Sequence, residues 1–162
     1  MSLTDFWDWL QALPISAYIG ESVWFPLLES IHVLAATFVV GSILMVDLRL
    51  LGLAGRRYAV PRMTAEVVPW TLGASGIAII TGVGLFITRA GHYVTNRAFQ
   101  FKIAFLIVAG LNMLYFHFVT TRRLDDEGRE GAMPVAAPLA GAASLFLWAG
   151  VLLAGRWIGH LL

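Results

Sequence analysis

The chain has 162 residues, of which 59% are apolar and only 13% charged, with a mean hydropathy of +0.78. A water-soluble domain carries about 25% charged residues, so roughly half that share leaves too little polar surface to keep this one dissolved. The net charge of +1 excludes the basic face that nucleic acid requires, and the absence of cysteine excludes disulfides, iron–sulfur clusters, thiolate zinc and covalently attached haem.

One transmembrane domain over residues 1–162 is the expectation. The opening residues Met1 to Asp8 lack the positive stretch of a signal peptide, so no cleavage is expected. From Thr4 to Leu13, Phe6, Trp9, Leu10 and Leu13 recur at helical spacing, with Asp5 and Asp8 elsewhere on the wheel. This is a short interfacial helix, or one that covers the mouth of a bundle.

Four long apolar stretches follow. The first span, about 24–46, reads WFPLLESIHVLAATFVVGSILMV, with a helix from near Ser22 to about Gly55. The second, 67–88, is opened by Pro69 and is rich in small residues: Gly73, Ala74, Ser75, Gly76, Gly82 and Gly84. The third covers 101–121 and the fourth 135–157, with Pro138 in its first turn. Each exceeds or matches the ~20 residues that cross a bilayer. The connections GRRYAVPRMTAE, RAGHYVTNRAFQ and RRLDDEGREG are short, which forces neighbouring helices antiparallel. The predicted fold is an all-α, integral membrane, up-down-up-down four-helix bundle.

Orientation follows from Lys and Arg. Arg49, Arg56, Arg57, Arg62, Arg122, Arg123 and Arg129 lie on one side, against Arg89, Arg97, Lys102 and Arg156 on the other. The excess places both termini in the periplasm of a bacterial inner membrane. Lys102 is expected to snorkel to the outer interface.

Histidines carry the functional expectation, because an imidazole in hydrocarbon is costly without a partner. His32 lies about 12 Å below the outer surface at 1.5 Å per residue. His92, just past the second span, and His160, at the end of the fourth, share that side; His92 reads as a surface residue. His117 sits near the inner end of the third span, so it does not share one metal with His32. Small residues follow His32 (Ala35, Ala36, then Val39 and Ile43), and Met113 and Gly110 precede His117 on its face. Arg156 is one turn from His160, so an anion held by one lies near the other. The plainer alternative for His32 is a hydrogen bond to a hydroxyl or carbonyl across the bundle, with Ser30 and Glu29 nearby. Asn112 is expected to bond between helices, Asp47 and Arg49 to pair with charged loop neighbours, and Met45 and Met113 to fill space rather than ligate copper.

The stretches IHVLAATFVVGSILMVDLRLLG, NRAFQFKIAFLIVAGLNMLYFH and AGRWIGH resemble an uncharacterised family of small bacterial four-helix inner-membrane proteins. More distantly, a histidine early in the first helix, followed by small residues and a glycine, is similar to the copper-resistance D and membrane protoporphyrinogen-oxidase groups. That resemblance implies haem or copper handling. The chain departs from the latter group in having no lysine in its second span.

The leading expectation is a b-type haem protein that moves electrons to or from a quinone or a periplasmic partner. His32 ligates iron on the outer side, His160 or His92 supplies a second ligand, and Arg156 binds a propionate. His117, with Met113 and Gly110, serves a second haem. The alternatives are a copper or other divalent-metal site formed by His32, His92 and His160, or a non-catalytic scaffold or assembly subunit. A homo-oligomer is expected under each. No nucleophile elbow, phosphate loop or zinc-protease helix is present.

Overall fold

Apolar side chains on every side of a long helix leave it nowhere to go in water, and here four such helices stand side by side. The computed structural model describes residues 3–55, 57, 59–116 and 136–160. Among these it has helices α1 (Leu3–Gln11), α2 (Pro14–Gly20), α3 (Trp24–Leu50), α4 (Val60–Thr88), α5 (Ala90–Thr95), α6 (Arg97–Tyr115) and α7 (Ala136–Ile158). Of these, α3, α4, α6 and α7 are long and apolar enough to cross a membrane. Large side chains point outward along them: Trp70 is 73% exposed, Ile80 73%, Leu34 71% and Phe146 71%. No soluble protein tolerates that much bare apolar surface, so the exterior is the lipid contact. The chain is a multi-pass membrane protein.

The helix ends differ from the sequence expectation for local reasons. α3 stops at Leu50 rather than near Gly55, because Gly52 and Gly55 take φ of +69° and +66°. The amides of Leu53 and Ala54 then fold back on the Leu48 carbonyl at 2.9 and 3.2 Å and close the helix. α4 begins at Val60, not at Pro69; a proline in its first two positions opens it, and Pro69 lies inside. An internal proline forfeits one helical hydrogen bond. Transmembrane helices tolerate this where neighbours re-satisfy the freed carbonyl. The expected end of the third span, 116–121, lies largely outside the described residues.

Small residues govern the packing. α3 and α4 form one close pair and α6 and α7 another; α3 also lies along α7, whereas α4 and α6 do not pack along their lengths. A Cβ added at Gly141 of α7 would stand 3.2 Å from the Asp47 carbonyl oxygen and 3.2 Å from Leu50 Cβ on α3. One added at Gly150 would meet the Phe105 ring of α6 at 3.0 Å. The buried apolar residues are correspondingly slight, with Ala35, Ala98, Ala109, Ala137 and Ala140 among them. Close backbone approach replaces a bulky core, as expected where lipid removes the hydrophobic drive between helices.

Polar bonds tie the pairs at intervals. Ser42 and Thr71 share a hydrogen bond of 2.7 Å between α3 and α4. As expected, Asn112 bonds between helices, donating to the Ala140 carbonyl at 3.1 Å. Asn96 accepts from the Phe99 amide at 3.2 Å to cap α6, and donates to Ile158 of α7 at 3.3 Å. The terminus end of the bundle, where α1, α2, α5 and the close of α7 gather, is shut by aromatics. Phe86 of α4 stacks on Phe99 of α6 at 5.5 Å and on Tyr93 at 6.1 Å, with the Trp7 edge against it at 5.8 Å. α1 therefore covers the bundle mouth, packing on α5 and α4 while Trp9 stays outside.

Gly141→Val is expected to lower the thermal unfolding midpoint in detergent, by an overpacking cost of about 1–3 kcal/mol. Gly110→Ala, where nothing lies within 4 Å, leaves the midpoint unchanged or raises it.

Candidate functional site

His32 emerges from α3 half-buried and reaches across to α4. Its Nδ1 lies 2.9 Å from the Ala78 carbonyl oxygen and 3.2 Å from Thr81 Oγ1. A carbonyl oxygen can only accept, so Nδ1 carries the hydrogen and donates it to Ala78. The Thr81 hydroxyl donates within its own helix, to Ile77 at 2.7 Å. The neutral ring therefore keeps its lone pair on Nε2, for which no hydrogen bond is seen among the described residues. The plainer expectation for His32, a hydrogen bond across the bundle to a carbonyl with a hydroxyl beside it, is what the structure shows. The bond also fixes tautomer and ring orientation, as the carbonyl partner of a metal-bound histidine does.

The seat for the ring is Gly82. A Cβ there would stand 3.0 Å from His32 Cε1 and 3.3 Å from Nδ1, so any side chain displaces the imidazole. One turn further, the lid of Phe86, Phe99 and Tyr93 closes the terminus end about 6 Å away along the axis. Opposite, Lys102 stands on α6, five residues past its start at Arg97. It is half-buried, its stem lies 3.9 Å from where a Gly155 Cβ would be, and its ammonium is within electrostatic reach of His32. The Gly155 backbone passes alongside the stem with room for ordinary van der Waals contact. Its place at the start of the third apolar stretch gave the expectation of an interfacial lysine; its neighbours Gly155 and His32 lie on other helices, where spacing does not show them.

The other candidates are not gathered around His32. Ser30 donates to Pro26 of its own helix at 2.8 Å, and Glu29 is exposed. His92 is exposed on α5, at the rim of a surface hollow with Gln11, Thr88 and Arg89. His160 is exposed, its ring edge-on to Trp157 at 5.9 Å, and Arg156 is exposed in the last turn of α7. Gly110 faces open space, and Met113, 40% exposed, borders a cavity at the far end of the bundle. His117 lies outside the described residues. Among the described residues no three His, Asp or Glu side chains come together to hold a metal ion.

Asp47 also departs from expectation. It is buried at 4% exposure, accepts a hydrogen bond from Ser144 of α7, and makes no ion pair with a described residue.

The family model that matches the chain is a family of unknown function, DUF6644, over residues 6–161. The chain belongs to this family, and the match takes in all four spans. No protein of curated function and no solved structure matches it.

Gly82→Ala is expected to push the imidazole off its seat by a few tenths of an ångström, weaken its bond to Ala78 and destabilise the α3–α4 pair by about 1–3 kcal/mol. The proton on His32 Nδ1, followed by nuclear magnetic resonance of histidine-labelled protein, should lose its protection from exchange in this variant.

Proposed function

We propose that this chain is a bacterial inner-membrane b-type haem protein that passes electrons to or from a quinone or a periplasmic partner. The observation that carries the reading is the His32 geometry: Nδ1 spent on the Ala78 carbonyl at 2.9 Å, and Nε2 left with its lone pair. An iron porphyrin brings four nitrogens of its own and asks the protein for one or two axial ligands. A bare copper or zinc ion asks for three or four. With no three-ligand cluster among the described residues, a single preset imidazole suits the porphyrin and not the bare ion.

The surrounding residues fit such a group. Gly82 seats the ring against α4, so the imidazole would be held in place for the iron. α4 and α6 do not pack along their lengths, so no helix contact closes the face between them beneath the aromatic lid. Haem supplies a one-electron couple at its iron when bound. The chain's own part is to hold the axial nitrogen, exclude water with apolar walls, and place cations where propionates emerge. Arg156 stands at the terminus end for that purpose, and His160 or His92 is the candidate second ligand from the same end. A second haem would rest on His117, with Met113 and Gly110 on the preceding turns.

In this reading both termini are periplasmic. The open backbones at Gly73, Gly76 and Gly110, where nothing lies within 4 Å, would let a second copy approach closely in the bilayer.

Protein purified from haem-replete cells is expected to show a Soret band that shifts on reduction, and His32→Ala should abolish it. A colourless wild-type preparation would contradict the proposal. Because the chain has no cysteine, Ser22→Cys and Arg57→Cys report topology cleanly. An impermeant maleimide should label the first in intact cells and the second only after the inner membrane is opened.

A further inference from the structure

At the far end of the bundle, α3, α4, α6 and α7 line a partly open cavity of about 80 Å³. Its walls are apolar except for Asp47, Thr64, Thr71, Asn112, Ser144 and the indole N–H of Trp148. Two polar atoms in these walls have no partner: Asp47 Oδ2 and Thr64 Oγ1. Asp47 is 4% exposed, so bulk water does not make good the loss. Three other polar side chains here are engaged. Ser144 bonds the Asp47 carboxyl, Asn112 donates to Ala140, and Thr71 is bonded to Ser42 and Val67.

Thr64 is the informative residue. The remaining described hydroxyls of α4 (Thr71, Ser75, Thr81 and Thr88) each donate to a carbonyl one turn back in their own helix. Thr64 does not, so its hydrogen needs an acceptor, while Asp47 Oδ2 needs a donor. Both residues line the one cavity, where water offers Oδ2 a donor and the Thr64 hydrogen an acceptor, and 80 Å³ exceeds the roughly 10–15 Å³ that one water needs. An alkali cation would satisfy Oδ2 and leave the Thr64 hydrogen with nothing to bond. Among the described residues the charges at this end are Arg49, Arg57, Arg62 and Glu66, with Arg57 in the turn between α3 and α4. Arg49 shares α3 with Asp47 and is itself engaged. Arg62 and Glu66 of α4 pair with each other in the open at 3.2 Å. The charged residues of α6 and α7, Arg97, Lys102 and Arg156, all lie toward the other end.

We propose that this cavity is a hydrated proton-exchange site, in which Asp47 takes up and returns one proton through water held between Oδ2 and Thr64 Oγ1. The step is carboxylate plus proton to carboxylic acid and back; nothing is oxidised, and the site stands with or without haem. Intramembrane carboxylates of this kind mark ion or proton routes.

Dicyclohexylcarbodiimide, an apolar reagent for protonated carboxyls, tests this on the intact protein in membranes, with labelled peptides read by mass spectrometry. Labelling at Asp47 is expected, falling about tenfold per pH unit above its midpoint and unaffected by sodium at constant ionic strength. Thr64→Val, which removes the water's hydrogen-bond donor, should move that midpoint upward, and Asp47→Asn should remove the label. No labelling at any pH, or labelling that ignores pH, overturns the proposal. Protection by sodium overturns it in favour of a cation site. The wild-type pH profile and the sodium arm decide the matter even if Asp47→Asn does not fold.

Discussion

The approach of α3 to α4 at Gly82 is the constraint on which the rest depends. It brings the His32 ring within 2.9 Å of the Ala78 carbonyl, and the one-way character of a carbonyl then dictates the tautomer. The bond is not there for strength. Side-chain hydrogen bonds between membrane helices average about 0.6 kcal/mol, against the several contacts that a close glycine approach secures along a whole helix. Its consequence is orientation. A ring fixed at one nitrogen presents the other in a set direction, and that is what a ligand requires.

The same economy of side chains shapes the whole bundle. Gly141 against α3 and Gly150 against Phe105 hold the helices close without large buried residues, and the bulky side chains turn to lipid. α4 and α6, each held from the other side, stay apart and meet chiefly through the rings of Phe86 and Phe99. Two chemically distinct ends result. One holds an imidazole and an ammonium beneath an aromatic lid. The other holds a carboxyl and hydroxyls around a small cavity. Polar groups in hydrocarbon must be satisfied from within the protein, so both concentrations call for a function.

Much of the architecture was legible in the sequence. The four spans, their alternation and the interhelical role of Asn112 follow from long apolar runs, short connections and a lone amide in mid-span. Pro69 misled the start of α4, because the rule that proline opens a helix is weaker in a bilayer than in water. α5 hid in a loop of mixed composition, and its six residues are too few for a periodic signal. His32 was identifiable as special, yet which nitrogen it offers depends on Ala78 and Gly82, 46 and 50 positions away, and no spacing rule reveals that. Lys102 and Asp47 were read as interface residues from their places near helix ends. Their burial arises from partners on other helices, Gly155 for one and Ser144 for the other, which only the fold brings near.

The tautomer of His32 is the claim nearest to the structure and the one on which the ligand reading stands. Nitrogen resonance of the histidine-labelled protein at neutral pH, prepared free of haem, measures it directly. The account predicts hydrogen on Nδ1 and a bare Nε2 for His32, with the Nε2 signal moving when haem is added. Hydrogen on Nε2, with Nδ1 unprotonated, would contradict it.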